Sequence, residues 1–335
     1  MTTTRVFPLI ALLGTMSYAA GVPAQTIIKL GTIAPEQSVW HDALLEIRQQ
    51  WRDITNGEVE LRIYAGGVLG GEDEMVRKLQ RRGLDALAIS GAGLPLIDGI
   101  VACLNLPLLF DSYAQLARVR DAVSDELEQS FEQRGYKVLG WSEAGWVRFF
   151  AKSPVRTPED LRQQRLWIST GDPSHEQLLN QFGFRVVALP ATDMLTGLQT
   201  GLIEAIDVPP LFALLDRSYQ EASYMTTLNF MPLNAATVIS LQAWERIDEN
   251  YRAELLAAVQ TSSERLREAL HRAEQEAIDE MVARGLQRVE LAEPTIAEWK
   301  ELAESAFPAL SCSQNFPRLF ERIVSTQRAD AGVVD

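Results

Sequence analysis

The chain has 335 residues, of which 47% are apolar and 23% are charged, and its formal net charge is −14. This length allows two domains of ordinary size, each with its own core. The negative charge argues against nucleic acid and anionic membrane surfaces as partners, because both would repel the protein. It does not restrict a small ligand, since a pocket can differ in sign from the surface.

Residues 1–24 have the features of a secretory signal peptide. Arg5 precedes an apolar run from Val6 to Ala20, and the small residues of "VPA" end at Ala24, where we predict cleavage. The run is shorter than the ~20 apolar residues of a membrane span. No cysteine follows the run, which argues against a lipid anchor. The mature protein is therefore predicted to work in a bacterial periplasm.

Strands and helices alternate in the first part of the mature chain. "TIIKLGTIA" (26–34) predicts a strand, and residues 38–57 predict an amphipathic helix. "EVELRIY" (58–64) alternates as a strand does, and a second helix leads to the apolar strand "LDALAIS" (84–90). The order β-α-β-α-β predicts a parallel sheet with helices on its faces.

The second part of the chain repeats this order. Residues 136–153 predict extended chain that leaves the first unit, and another β-α-β-α-β pattern runs through residues 165–210. Residues 249–284 contain no proline or glycine and favour one helix of ~54 Å, long enough to bridge two domains. The alternative is two helices broken near residues 261–263.

Reactive side chains are few, and none belongs to a recognised catalytic or metal motif. His41, His175 and His271 are far apart, and motifs for zinc proteases, dinucleotides, P-loops and serine hydrolases are absent from the sequence. We therefore predict no cofactor, no metal and no enzymatic activity. Cys103 and Cys312 form either a disulfide, which export permits, or two buried thiols. Two α/β units joined by a long helix suit a ligand-binding protein that closes around its cargo.

Three segments carry a resemblance to a known family. They are residues 28–90, "VRTPEDLRQQRLWIS" (155–169) and "ALPATDMLTGLQTGLIEAIDVPP" (188–210). The chain resembles the solute-binding subunits of tripartite ATP-independent periplasmic (TRAP) transporters, DctP type, from about Ile28 to about Ala306.

The resemblance implies an α/β, two-lobed periplasmic-binding-protein clamshell with hinge strands and a long domain-bridging helix. Lobe I is expected to hold residues 26–144 with about 233–270 and 300–335, and lobe II residues 145–232 with about 271–299. The implied partners are a small-molecule solute and the membrane permease subunits of a TRAP transporter, and the implied state is a monomer.

Five pocket positions depart from the family pattern. Most members have an arginine that clamps the carboxylate of an organic acid, and Trp167 falls at that position. A second arginine position falls at Val147 and an asparagine position at Val208. A polar position falls near Ile33 and an acidic one near Ser90.

These departures predict a neutral or largely hydrophobic, aromatic solute. An indole carries one donor and no charge, so it cannot clamp a carboxylate. Alternation along the strand puts Phe149 on the face of Val147, and Phe212 is a further candidate for the wall.

Three alternatives stay open. Arg148 or Arg165 serves as a relocated clamp for an organic acid, although Arg148 adjoins Val147 and should face the other way. In the second alternative, Trp167 packs in a core and takes no part in binding. In the third, the protein is a periplasmic sensory subunit, which neighbouring genes for a sensor kinase would indicate.

Overall fold

The computed structural model describes residues 25–170 and 173–331. The predicted signal peptide, residues 1–24, lies outside the described residues. The strands are β1 (Thr26–Gly31), β2 (Val59–Tyr64), β3 (Ala86–Ser90), β4 (Tyr136–Ala151), β5 (Arg165–Ser169), β6 (Arg185–Leu189), β7 (Ala205–Val208), β8 (Tyr224–Thr226), β9 (Met231–Ser240) and β10 (Gln287–Val289). The α-helices are α1 (Val39–Ile54), α2 (Glu72–Gln80), α3 (Tyr113–Gln133), α4 (Pro158–Arg162), α5 (Pro173–Gln181), α6 (Met194–Thr200), α7 (Pro210–Leu215), α8 (Leu241–Glu245), α9 (Glu249–Ala283), α10 (Glu293–Ala306), α11 (Ser311–Asn315) and α12 (Pro317–Ala331).

The strands form a mixed sheet in the order β2-β1-β3-β9-β4-β7-β5-β6. Strand β1 pairs in parallel with β2 and β3, and β5 pairs in parallel with β6 and β7, as the two β-α-β-α-β patterns predict. Strand β9 runs antiparallel to both β3 and β4, so it joins the two parallel groups.

Strand β4 crosses from one lobe to the other. Its first twelve residues pair with β9, and from Arg148 onward it pairs with β7. The pairing with β9 shifts register between Glu143 and Gly145, where Gly145 has a φ of +126°. The predicted lobe boundaries fall here, because Gly145 pairs with Leu233. The boundaries themselves remain a prediction.

Buried acids fix this crossing. Glu274 of α9 accepts a hydrogen bond from the N–H of Trp146 (3.0 Å) and one from the Tyr113 hydroxyl (2.6 Å). Burial raises the pKa of Glu274, and burial beside Glu274 raises the pKa of Tyr113. Glu143, fully buried on β4, accepts from Arg120 of α3 at 2.5 Å. The crossing strand is thereby tied to α3 and to the long helix.

Helix α9 is a single helix of 35 residues, as the uninterrupted pattern favours, and the alternative of two helices is wrong. It packs on α1, where Trp51 donates its indole N–H to the carbonyl of Leu255 (3.1 Å). Farther along, its Leu270 and Ala277 pack against Leu211 of α7. One helix therefore contacts both lobes. None of the described helices combines the length and hydropathy needed to cross a membrane.

The C-terminal segment is fastened to the first lobe. A disulfide joins Cys312 of α11 to Cys103, in a 3-10 turn over Gly99–Leu104, with their Cα atoms 5.1 Å apart. Helix α12 then packs on α3. Of the two alternatives that the sequence leaves open for the cysteines, the structure has the disulfide.

Candidate functional site

A cavity of about 180 Å³ lies between the lobes, at the carboxyl ends of the parallel strands. Residues 32–35 after β1, Ser90 at the end of β3, Ser169 at the end of β5 and Val208 at the end of β7 all line it. Ligands of open α/β sheets bind outside the carboxyl ends of the strands. The cavity is therefore the candidate binding site, and its volume is close to the ~150 Å³ of an engineered cavity that binds benzene.

Trp167 lines this cavity with its indole ring, and its N–H is not free to bind a solute. The side chain is 6% exposed and packs with Val208 and the half-buried Phe212. Its Nε1–H donates to the backbone carbonyl of Leu189 at 3.1 Å, so the one polar group of the indole is satisfied inside the lobe. The neighbouring β5 residues Leu166 and Ile168 point into the opposite core. Trp167 therefore packs in a core and lines the cavity at the same time.

The cavity lining includes six of the eight predicted site residues. They are Ile33, Ser90, Val147, Trp167, Val208 and Phe212. Their role in binding remains a prediction.

Phe149 and Arg148 do not line the cavity. Phe149 does share the face of Val147, but its ring is 0% exposed and packs on Phe230 (4.7 Å between centroids) and Trp299 (5.4 Å). The prediction that Phe149 extends the wall is wrong, because α10 covers this stretch of β4. Arg148 donates through Nε to Asn229 at 3.1 Å, and burial lowers its pKa.

Arg165 lies away from the cavity. It is the first residue of β5, whereas the cavity is at the other end of the strand. Its guanidinium donates to the carbonyls of Gly201 (2.6 Å) and Leu202 (3.0 Å) and forms an ion pair with Glu204 (3.1 Å). The guanidinium is therefore engaged at the opposite edge of the lobe.

The titratable side chains of the cavity are two acids and one histidine, namely Glu72, Asp207 and His175. Glu72 accepts from the N–H (2.7 Å) and the hydroxyl (2.8 Å) of Ser90, and Asp207 contacts Nε2 of His175 at 2.5 Å. No lysine or arginine is found among the described residues that line the cavity. A carboxylate there would meet two acidic side chains and no lysine or arginine, which is unfavourable. No group of three or more metal-ligating side chains suited to a metal ion occurs in residues 25–170 and 173–331.

Two features of the cavity escape the sequence analysis. One is a set of hydroxyl side chains where the crossing strands meet α9, namely Ser142, Thr237, Ser262 and Ser263. The other is the wall formed by residues 310–312, which the disulfide holds in place. Small residues on one face of β3 and β9, such as Ala88 and Ala235, are a signal for the first feature, because they leave space beside the sheet. The second feature has no such signal, because the residues near Cys103 and Cys312 in the sequence do not indicate that these distant cysteines form a wall of the cavity.

Comparison with known proteins decides the family. The family model for bacterial extracellular solute-binding protein, family 7 (DctP), matches residues 30–311. The chain belongs to this family. DctP-family proteins bind solutes for TRAP transporters and pass them to membrane permease subunits, and they are not enzymes. The resemblance seen in the sequence is thereby confirmed.

Several relatives match most of the chain. YiiZ of Salmonella typhimurium is 26% identical over 258 residues, 76% of this chain and 78% of YiiZ. The 2,3-diketo-L-gulonate-binding periplasmic protein YiaO of Escherichia coli is 21% identical and covers 82% of this chain and 84% of YiaO. The C4-dicarboxylate-binding periplasmic protein DctP of Rhodobacter capsulatus is 22% identical, over 79% and 80% of the two chains.

Solved structures show the same fold. A TRAP periplasmic solute-binding protein of Haemophilus influenzae with bound L-gulonate has a TM-score of 0.84 at 20% identity, over 91% of this chain and 100% of that one. The sugar-acid-binding protein DctPAm of Advenella mimigardefordensis, in complex with galactonate, has a TM-score of 0.86 at 15% identity, over 91% and 98%. At these identities the likeness establishes the two-lobed fold and leaves the solute open.

Proposed function

We propose that this DctP-family protein captures an uncharged, largely apolar or aromatic small molecule in its interlobe cavity. It delivers the solute from the periplasm to the permease subunits of a TRAP transporter, and it acts as a monomer. The observation that carries the proposal is the lining of the cavity. Trp167 contributes a ring with no free donor, and the described lining residues include no lysine or arginine.

The energetics of burial favour such a solute. A buried carboxylate without a partner loses several kcal/mol or more of hydration. An apolar solute instead gains roughly 25 cal/mol for each Å² of its surface removed from water. Trp167, Val208 and Phe212 offer the apolar contact area and, through the two aromatic rings, a stacking surface for a flat solute.

The alternative is an organic acid, and the relatives favour it. Their names and bound ligands include 2,3-diketo-L-gulonate, C4-dicarboxylates and L-gulonate. An acid would need a cation that replaces the family arginine. Arg148 is hydrogen-bonded to Asn229, and Arg165 is bound to carbonyls at the far edge of its lobe. Both arrangements support the uncharged solute over the acid.

Two probes of nearly the same shape test the proposal. Benzoate carries a carboxylate where acetophenone carries an acetyl group, and both are close to the size of the cavity. Calorimetry on the mature protein should show acetophenone binding at least tenfold more tightly than benzoate, because the acid must be desolvated beside Glu72 and Asp207. Tighter binding of benzoate would contradict the proposal and favour the organic-acid alternative.

A further inference from the structure

We infer that the hydroxyl groups of Ser142, Thr237, Ser262 and Ser263 bind an uncharged oxygen atom of the solute. These four residues are called the hydroxyl cluster below. The inference rests on the proposed function and deepens it, because it gives the solute a polar end and an orientation in the cavity. The class of solute is an apolar body that carries an alcohol, ketone or ether oxygen.

Strand register places two members of the cluster, Thr237 and Ser142, on one sheet face, and Ser263 of α9 lies against that face. Thr237 of β9 pairs with Gly140 of β4, and Ala235 pairs with Ser142. Directly opposite residues of an antiparallel pair share a face, as do residues two apart on one strand. A Cβ added to Gly140 would lie 2.9 Å from the Oγ of Ser263, so this face is turned toward α9. The missing side chain of Gly140 leaves the Ser263 hydroxyl beside the sheet.

The remaining member has a hydrogen-bonding group without a partner. Ser262 lines the cavity, is 1% exposed, and its Oγ has no hydrogen-bond partner among the described residues. Serine in a helix interior commonly bonds the carbonyl one turn back or faces water. Ser262 does neither, and a buried hydroxyl left unpaired costs free energy. An oxygen of the solute would supply the partner that the protein does not.

The chemistry of the cluster selects an uncharged oxygen. A hydroxyl group both donates and accepts hydrogen bonds, so it suits alcohols, ketones and ethers. It carries no charge that could compensate a carboxylate. Another part of the lining is formed by Trp167, Val208 and Phe212, which offer ring and methyl surface. The solute therefore lies with its oxygen toward α9 and its apolar body toward Trp167.

The experiment compares acetophenone with α-methylstyrene, in which a CH₂ group replaces the carbonyl oxygen. A wholly apolar cavity would favour α-methylstyrene, because water solvates the ketone better. The hydroxyl cluster should reverse this order, and calorimetry should show about five- to tenfold tighter binding of acetophenone. Ser262→Ala should bring the ratio of the two affinities close to one, and Thr237→Val, which keeps the side-chain shape, should lower it.

Ser305→Ala is the matched control, because Ser305 is an exposed helical serine on α10 and not a cavity residue. It should leave the ratio unchanged. Equal affinities of the unmodified protein for acetophenone and α-methylstyrene, or a ratio that neither variant lowers, would overturn the inference. The proposed function would still be supported if acetophenone bound more tightly than benzoate. Tighter binding of benzoate would overturn the proposed function. Failure of all three probes to bind would overturn both.

Discussion

At the scale of single residues, β4 shows what a strand pattern can predict and what it cannot. Alternation puts Val147 and Phe149 on one face of β4, and both belong to the same core cluster, whereas Arg148 lies across from Val208 of another cluster. It cannot say what covers each side chain. Trp299 lies 150 residues farther along the chain and packs on Phe149, so the cavity wall ends at Val147. Such long-range contacts leave no local mark in the sequence.

Whether Trp167 makes the cavity prefer an uncharged solute to a carboxylate can be tested by substitution. Trp167→Arg should raise the affinity for benzoate relative to acetophenone by at least tenfold, because a guanidinium pairs with a carboxylate through two N–H donors. Trp167→Phe is the control. It keeps an apolar ring but removes the indole N–H that donates to the carbonyl of Leu189, which keeps only the N–H of Thr170 (3.2 Å), at a cost of about 1 kcal/mol in the free energy of unfolding. Trp167→Arg without any gain for benzoate would contradict the assigned position.

Asp216, which follows α7, should make stability depend on pH. Burial raises the pKa of this carboxyl from 3.8 to about 6, although the N–H of Ser218 donates to Oδ1 at 2.9 Å. The folded protein therefore holds the proton more tightly than the unfolded chain does. The stabilisation is complete below about pH 4 and is lost as the pH rises through about 6.

Asp216→Asn removes this dependence and keeps an acceptor for Ser218. Between pH 4 and pH 8, the free energy of unfolding should shift by up to about 3 kcal/mol in favour of the variant, relative to the unmodified protein. Urea unfolding across this range measures the shift. Parallel pH profiles for the two proteins would contradict the raised pKa.

At the scale of elements, long regular segments are predictable and their exact partners are not. Helix α9 is evident from an uninterrupted run of helix-forming residues, and β4 from its extended pattern. The antiparallel placement of β9 between β3 and β4 is not evident, because pairing partners depend on topology. The hydroxyl cluster also depends on this register, since β9 brings Thr237 beside Gly140.

The C-terminal wall of the cavity offers a test at the same scale. The disulfide fastens residues 310–312, and Ser311 also donates to Oε1 of Gln177 on α5 at 2.8 Å. The double variant Cys103→Ser/Cys312→Ser should lose about 2–5 kcal/mol of stability and bind acetophenone more weakly, because the wall is released.

A reductant provides the matched control for this variant. It should weaken binding by the unmodified protein and leave the double variant unchanged. Equal binding by the oxidised and reduced protein would show that the wall does not depend on the disulfide.

At the scale of the whole molecule, the composition and the order of elements indicate two α/β units, and the family resemblance adds the clamshell. The position of the cavity follows from the topology, because the carboxyl ends of both parallel groups meet between the lobes. The electrostatic character of the cavity does not follow from the net charge of −14. It depends on which few side chains reach the space, and here they are Glu72, Asp207 and His175 in a mostly apolar lining.

The most direct test is mass spectrometry of the organic extract from the purified mature protein. Apolar cargo often survives purification, so the extract should contain an uncharged molecule with an apolar body and an oxygen. Denatured protein that has been stripped and refolded serves as the blank. Recovery of a stoichiometric carboxylic acid, with no neutral compound above the blank, would contradict the proposal that the cavity is built for an uncharged solute.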